Sequence, residues 1–491
     1  MTGRIQLISQ GVIGEILTDN PTFSFFSKRF TTYTNWAKES YKSEFNDNIY
    51  LDDIITFTIP QNCGDILQGV TLSFKSNHSQ NNLKKLSSGN PDVIVPVETF
   101  GISVIEYTEL TLGDQVIDRL TSDDIFIYNE YNISGSHLTS LNALHGESYT
   151  ADSPFIFRPE FNDGMYSTTG YNYNVTENYR VHIPFNILSG IPLCAIYKQE
   201  LKITIKLRRT KEVFFIANSS NTRWNPEEQN KITGKHELNN VTLHLDVIHL
   251  DVYERYYLRS NLHTLLFEQH QHNHFLIDSK SDNGTFNLEF KNNVKEIFFI
   301  VKRLYRDYTQ DDLDVVKYIY TIEFFNIIQG LIGDPKYDIY DIFFAVIYYL
   351  DRIQKVKMAV PLMYMSQEYV TLTCDKDIIL DDTTGDNAFL SSCITNLYHK
   401  SSPVRSNIGS YSFAIYPEKK EPSGHLNFSS IKHAELKIKL VYNGSQGTYD
   451  TNYNFMDEFG VPSIDTEKQV IVSAKSYNIL KINNGIGEII Y

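Results

Sequence analysis

Three short stretches of the chain alternate apolar and polar residues without a break. Leu201-Lys-Ile-Thr-Ile-Lys-Leu207 puts Leu201, Ile203, Ile205 and Leu207 on one face of an extended chain. Thr242-Leu-His-Leu-Asp-Val247 and Ala434-Glu-Leu-Lys-Ile-Lys-Leu440 repeat the pattern. A period of two belongs to a strand with one buried face, and so to antiparallel sheets wetted on one side. Clusters of Gly, Pro, Asn and Asp separate these runs, as in sandwiches and barrels. Helical signals are few. Val252–Gln271 has neither Gly nor Pro, and Asp251 suits an N-cap. Tyr257, Leu258, Leu262, Leu265 and Leu266 recur there at helix-like spacing, so a helix is predicted over part of the stretch. Residues 335–352 are apolar and aromatic, and periodicity leaves helix or strand open.

The patterns also repeat. Glu200-Leu-Lys-Ile-Thr-Ile-Lys-Leu207 is similar to Glu435-Leu-Lys-Ile-Lys-Leu440, about 235 positions later. Gln61–Lys75 is similar in shape to Lys291–Lys302, about 230 positions on, each with an Asn-containing turn before a strong strand. Two similar offsets in the same order predict two copies of one β unit, divided near residues 248–275. Each copy is longer than a bare eight-stranded sandwich needs, so the excess is expected in loops, above all Asn129–Arg180.

Composition agrees. A chain of 491 residues exceeds what one hydrophobic core serves. Its 33 Tyr and 30 Phe, against 2 Trp, suit half-buried pleated surfaces. The formal net charge of −15 argues against direct packaging of nucleic acid, because an acidic surface repels phosphate. Cys63, Cys194, Cys374 and Cys393 form neither a disulfide framework nor a zinc motif and suit a reducing compartment, with Cys63 and Cys194 as small core residues. The N-terminus lacks the basic stretch and apolar run of a signal peptide. The longest apolar run, Ile342–Leu350, is too short to cross a bilayer as a helix. A cytosolic product, not integral to a membrane, is expected.

Catalytic chemistry is not evident. No phosphate-binding GxxxxGK[ST], HExxH, GxSxG or EF-hand loop occurs. Gly485-Ile-Gly487 reads as a turn. His270, His272 and His274 alternate and would share a face on a strand, which makes a metal site conceivable, but a polar domain junction is the favoured reading. Asp307, Asp311, Asp312 and Asp314 lack the central Gly and terminal Glu of a calcium loop and read as a solvated stretch. The Asn-x-Ser/Thr sites occur about as often as this composition supplies by chance. No catalytic, cofactor-binding or metal-binding residue is assigned, and no cofactor and no enzyme activity are expected.

The most informative stretch is Tyr411–Ile431. An apolar strand, Tyr411–Tyr416, is predicted to run into Pro417, followed by a charged tip at Glu418–Glu421. Pro422, Ser423 and Gly424 then force a tight turn before a second strand begins near Leu426. The order Phe413-Ala414, Pro417-Glu418, Pro422-Ser423-Gly424, Asn427-Phe428-Ser429 resembles a signature of the double jelly-roll major capsid proteins of the nucleocytoplasmic large DNA viruses. Asn20-Pro21, Phe25-Phe26, Tyr33-Thr34-Asn35 and Glu39 resemble the opening motif of that family. Pro184-Phe185, with Pro192-Leu193 and Glu200–Ile203, is similar to the end of its first barrel. His249–Arg255, continued by Phe267–Gln269, resembles its junction, and Tyr477–Leu480 with Gly485–Gly487 its last strand. His425 stands where the family often has Thr, Arg29-Phe30 departs from its aromatic-basic-basic run, and the Gly-Gly pair of algal-virus members is missing from the opening.

The resemblance implies an all-β chain of two tandem eight-stranded antiparallel jelly rolls. It divides the chain into an N-terminal arm (1–20), a first jelly roll (21–250), a junction with helix (251–275) and a second jelly roll (276–491). It implies a homotrimer forming a pseudo-hexagonal capsomer that tiles an icosahedral shell over an internal membrane. Neighbouring capsomers and minor capsid and penton proteins are the implied partners, with assembly in the host cytoplasm. The arm is expected to dock beneath the capsomer, and the loops of 120–180 and 303–345 to crown it. A minor capsid paralogue or poxvirus-like scaffold, and a β-sandwich glycan-binding protein or glycosidase, are the alternatives.

Overall fold

The computed structural model describes residues 32–45, 47–88, 93–97, 99–145, 176–186, 190–217, 231–278, 281–303, 364, 367–382, 398–401, 408–440 and 468–490, with scattered positions from 11 to 26. The first half contributes β1 (Trp36–Glu44), β2 (Ile54–Ile59), β3 (Ile66–Asn77), β4 (Ile105–Leu112), β5 (Gln115–Thr121), β6 (Thr176–Ile183), β7 (Leu201–Leu207) and β8 (Glu237–Leu250). They build two antiparallel sheets whose main paths run β1-β8-β3-β6 and β2-β7-β4-β5. The second half contributes β9 (His263–Ile277), β10 (Asn283–Asn287), β11 (Asn293–Arg303), β12 (Gln367–Cys374), β13 (Asp377–Asp382), β14 (Gly409–Ser412), β15 (Ala434–Leu440) and β16 (Lys468–Asn483). Their sheets run β9-β16-β11-β14 and β10-β15-β12-β13. Every place in the second pair of sheets is taken by the strand eight labels later, so the chain holds two jelly rolls of one topology.

The predicted repeats fall at equivalent places, β7 with β15 and β3 with β11. The alternating runs bury the predicted faces. Ile203 and Ile205 in β7, Leu243, Leu245 and Val247 in β8, and Leu436 and Ile438 in β15 are at most 1% exposed. They pack within two main clusters, one per barrel. Cys63 and Cys374 are buried and Cys194 partly so, all as free thiols. Burial pushes the Cys194 and Cys374 thiols up to about 11. Cys393 lies outside the described residues.

Three sequence readings need correction. The stretch read as a loop from Asn129 begins in helix. α1 (Ser122–Asn132) and α2 (Gly135–Leu144) occupy its start, and β6 takes Thr176–Arg180 at its end. Thr121 caps α1 reciprocally with Asp124, which fixes the first turn. Helix over Val252–Gln271 stops early. α3 (Val252–Ser260) is capped by Asp251, as predicted, but Leu262, Leu265 and Leu266 belong to or border the long strand β9. β9 pairs with β16 along its whole length, from His263↔Ile482 to Ile277↔Lys468. That ladder decides against the helical spacing of three leucines. Finally, the strand predicted over Tyr411–Tyr416 ends at Ser412, and Ile415 and Tyr416 are exposed.

Candidate functional site

The two barrels meet along a seam in which apolar and charged groups are buried together. α1 leaves β5 of the first barrel and lies on the second. Its Ile127 and Tyr131 pack with Phe298 and Ile300 of β11, Ile471 of β16, Tyr364 and Ile408. The Tyr131 hydroxyl donates to the Ile408 carbonyl at 3.2 Å. In return, Phe267, Leu480 and Ile482 of the second barrel join the first barrel's core cluster. Residues 122–131 therefore do not crown the molecule. Residues 146–175 and 304–345 lie outside the described residues, as do Ile342–Leu350, the 335–352 run and the aspartates of 307–314.

Carboxylates at the β5–α1 corner face histidine and lysine side chains from the second barrel. Asp118 accepts from the His270 backbone N–H at 2.9 Å and lies 3.2 Å from its Nδ1. Asp123 pairs with Lys302 and accepts from the Tyr364 hydroxyl at 2.8 Å. Asp124 meets His272 Nε2 at 2.7 Å and accepts from Ser473 Oγ at 2.6 Å. Deeper in the second barrel Glu268 pairs with Lys295, and Glu296 with His399, with Lys475 3.8 Å away. Asn186, just after the Pro184-Phe185 motif, donates to Glu268 at 3.0 Å. All five carboxylates are at most 5% exposed, so each needs its partner.

The charges shift one another. Burial disfavours ionised Asp124, yet His272 beside it holds the carboxyl far below its usual range. Burial likewise opposes a charge on His272, but Asp124 prevails and raises it. Glu296 is also lowered, with His399 and the nearby lysines overcoming burial. Lys302 goes the other way, since burial outweighs Asp123 and lowers it. His270, His272 and His274 do share one face of β9, and two of them serve the domain junction. Among the described residues no cluster of three His, Cys, Asp or Glu stands ready for a metal.

The 409–431 stretch is an excursion from one edge. β14 pairs with Glu296–Phe299 of β11, and Leu426-Asn427 pairs with Asn293-Val294 of the same strand. Between them the chain loops out and returns. Gly424 has φ +152°, and a Cβ there would lie 2.4 Å from the Phe413 carbonyl oxygen and 3.0 Å from Ala414 Cα. Ser423 Oγ accepts from the Tyr416 N–H at 2.8 Å. Pro417 is buried and Pro422 exposed. Glu418 accepts from the Lys400 N–H, beside the His399 of the seam. Asn427 caps the turn from Phe428 to Ser430, and Ser429 Oγ accepts from the Asn292 N–H at 2.8 Å. Phe413 and Phe428 plug the second core, 6.0 Å apart.

The opening motif is dispersed by comparison. Asn20 has φ +48°, Phe26 is 98% and Tyr33 83% exposed, and Phe25 lies outside the described residues. Thr34 and Asn35 are exposed, and Glu39 meets His249 at 2.8 Å on the surface. Phe185 packs on the first core, in part. Asn484-Gly485, both at positive φ, turn β16 back into the strand Ile486–Ile489, as the turn reading of those glycines requires. Sequence reading missed the carboxylates Asp118, Asp123 and Asp124. The Thr-x-x-Asp cap at 121–124, ahead of an apolar run, was the available signal.

Residues 24–251 match the family described as the major capsid protein N-terminus, and residues 254–488 that of the large eukaryotic DNA virus major capsid protein. The division falls at the start of α3. The major capsid protein of Pyramimonas orientalis virus is 23% identical over 495 residues, covering 100% of this chain and 99% of the relative. That of Phaeocystis pouchetii virus is 24% identical over 557 residues, with the same coverage. A chain of the solved PBCV-1 virus capsid superimposes with a TM-score of 0.64 at 16% identity, over 95% of this chain and 100% of that one. This is a family of structural proteins and not of enzymes. The chain belongs to the double jelly-roll major capsid proteins of the large DNA viruses.

Proposed function

We propose that three copies of this chain associate into a pseudo-hexagonal capsomer, and that such capsomers tile an icosahedral shell over an internal membrane. The observation that carries this reading is the pair of barrels of one topology locked through a buried seam. Three such rigid pairs give six equivalent-looking barrels. In this reading the chain divides into an arm (1–20), a first barrel (21–250), a junction (251–275) in which α3 leads into β9 of the second barrel, and the rest of that barrel (276–491). Asn20, Pro21, Phe25, Phe26, Tyr33, Thr34, Asn35, Glu39, Pro184 and Phe185 shape the first unit and its arm. Phe413, Ala414, Pro417, Glu418, Pro422, Ser423, Gly424, Asn427, Phe428 and Ser429 shape the second. Minor capsid and penton proteins meet one end of the capsomer. Assembly takes place in the host cytoplasm, without direct contact to nucleic acid.

Negative-stain images of the purified protein test this reading. Hexagonal trimers are expected, and a monodisperse monomer at high concentration would overturn it.

A further inference from the structure

α3 is a nine-residue helix with no buried residue. One side is tied down. Arg255 Nε and Nη2 lie 2.7 and 2.8 Å from the two carboxylate oxygens of Asp65, and the Arg259 guanidinium sits 5.2 Å from the Tyr197 ring. The other side holds Tyr253, Tyr256 and Tyr257 in water, 85, 73 and 60% exposed, at the i, i+3, i+4 spacing of one helical face. The patch extends beyond the helix. Trp36 of β1 pairs with Leu250, next to the cap of α3, and is half exposed; Tyr33 is more so. Exposed aromatic side chains grouped on one helix face are typical of interfaces, where tyrosine buries much area at little entropic cost.

The same chain offers a complement. Its N-terminal arm leaves β1 at Trp36, directly beside α3. Residues 5–14, Ile-Gln-Leu-Ile-Ser-Gln-Gly-Val-Ile-Gly, hold no charge, and Ile5, Ile8, Val12 and Ile16 recur at helical spacing. Val12 and Ile13 are 74 and 76% exposed, so their apolar surface is not used on their own barrel. The three tyrosines themselves carry no charge, and Arg255 behind them is engaged by Asp65. We propose that residues 5–17 of one copy seat on the Tyr253, Tyr256 and Tyr257 face of α3 in a neighbouring copy. Patch and complement differ, so the contact is heterologous and closes into a ring or propagates between rings. The inference rests on the self-association proposed above.

The test places the photocrosslinker p-benzoylphenylalanine at position 256 in a mixture of isotopically light and heavy full-length chains. After assembly and irradiation, α3 should capture peptides from residues 5–17 in mixed light–heavy pairs. Tyr253→Ser/Tyr256→Ser/Tyr257→Ser should lower assembly roughly tenfold, as should deletion of residues 1–18, and combining them should add little. The three positions are solvent-exposed, so folding, read by circular dichroism, stays intact. Same-isotope pairs alone would mean that the arm covers its own helix, which overturns the proposal. Shells that form while α3 captures nothing, or another protein surface, overturn it and leave the capsid reading standing. Chains that never associate overturn both.

Discussion

β8 and β16 hold the same place in the two barrels, yet they are buried differently. In β8, Leu238, Val241, Leu243, Leu245 and Val247 are buried and the residues between them reach solvent. In β16 every residue from Val470 to Asn478 is buried. β3 and β11 differ in the same way. β3 alternates, whereas β11 puts Val294, Ile297, Phe299 and Val301 into its own core and Phe298 and Ile300 against α1. The first barrel thus supplies the cover for the second barrel's outer sheet face. A repeat of topology does not impose a repeat of burial. What lies across the sheet decides whether a strand reads with a period of two or as a continuous buried run.

The sharpest way to break this asymmetry is at the seam. Asp124→Ala removes the partner of His272 and Ser473 and half of the α1 capping box. It should cost about 3–5 kcal/mol, because it leaves a buried cation uncompensated. Calorimetry should then show one transition dividing into two, as the barrels lose their coupling. An unchanged single transition would mean that the seam contributes little.

Acid should act on the first barrel before the seam. Burial lowers His145 and His236 of the first barrel to about 4. Stability from a lowered histidine is full above the unfolded value of 6.5 and is lost as pH falls toward 4. The loss is on the order of 3 kcal/mol per imidazole. The lowered Asp124 keeps its contribution until much stronger acid, while the contribution of the raised His272 is lost as pH rises through its folded value. Denaturant titrations between pH 7 and 4 should show the decline, and His236→Gln should flatten it; equal slopes would count against the assignment.

Gly424→Val tests the second barrel alone. Backbone strain of about 1–3 kcal/mol adds to the clash with the Phe413 carbonyl. A lower unfolding midpoint for the second barrel, or loss of soluble protein, is expected, and a native midpoint would contradict the strained turn. The smallest effect belongs to Glu39→Gln. It removes an exposed contact between Glu39 of β1, the counterpart of β9, and His249 of β8, and should change stability by less than about 1 kcal/mol. A larger loss would show that this surface is covered in the isolated chain.

Legibility in the sequence followed the same divide. The alternating runs of β7, β8 and β15 were plain because each has one wet face. The paired offsets, β7 with β15 and β3 with β11, gave the tandem organisation. β9 was harder. Leu262, Leu265 and Leu266 mimic a helix because the strand touches protein on both sides near its start, which erases the period of two. α1 was read as loop because its Tyr, Asn and Ser content hid a helix whose apolar residues are split, Ile125 facing its own barrel and Ile127 and Tyr131 the other. The excursion at 413–425 was recognised as a turn, but its two flanking strands were not assigned to one partner strand.

By itself the sequence determined the β class, the tandem units and the need for glycine at position 424, since these rest on local periodicity and backbone freedom. Tertiary structure alone decided which charges neutralise one another. Asp123 and Asp124 sit in one barrel, and Lys302 and His272 in the other, far apart along the chain. Each would be a solvated surface charge in a separate barrel. Docking removes the water, and only then does a carboxylate require that particular cation.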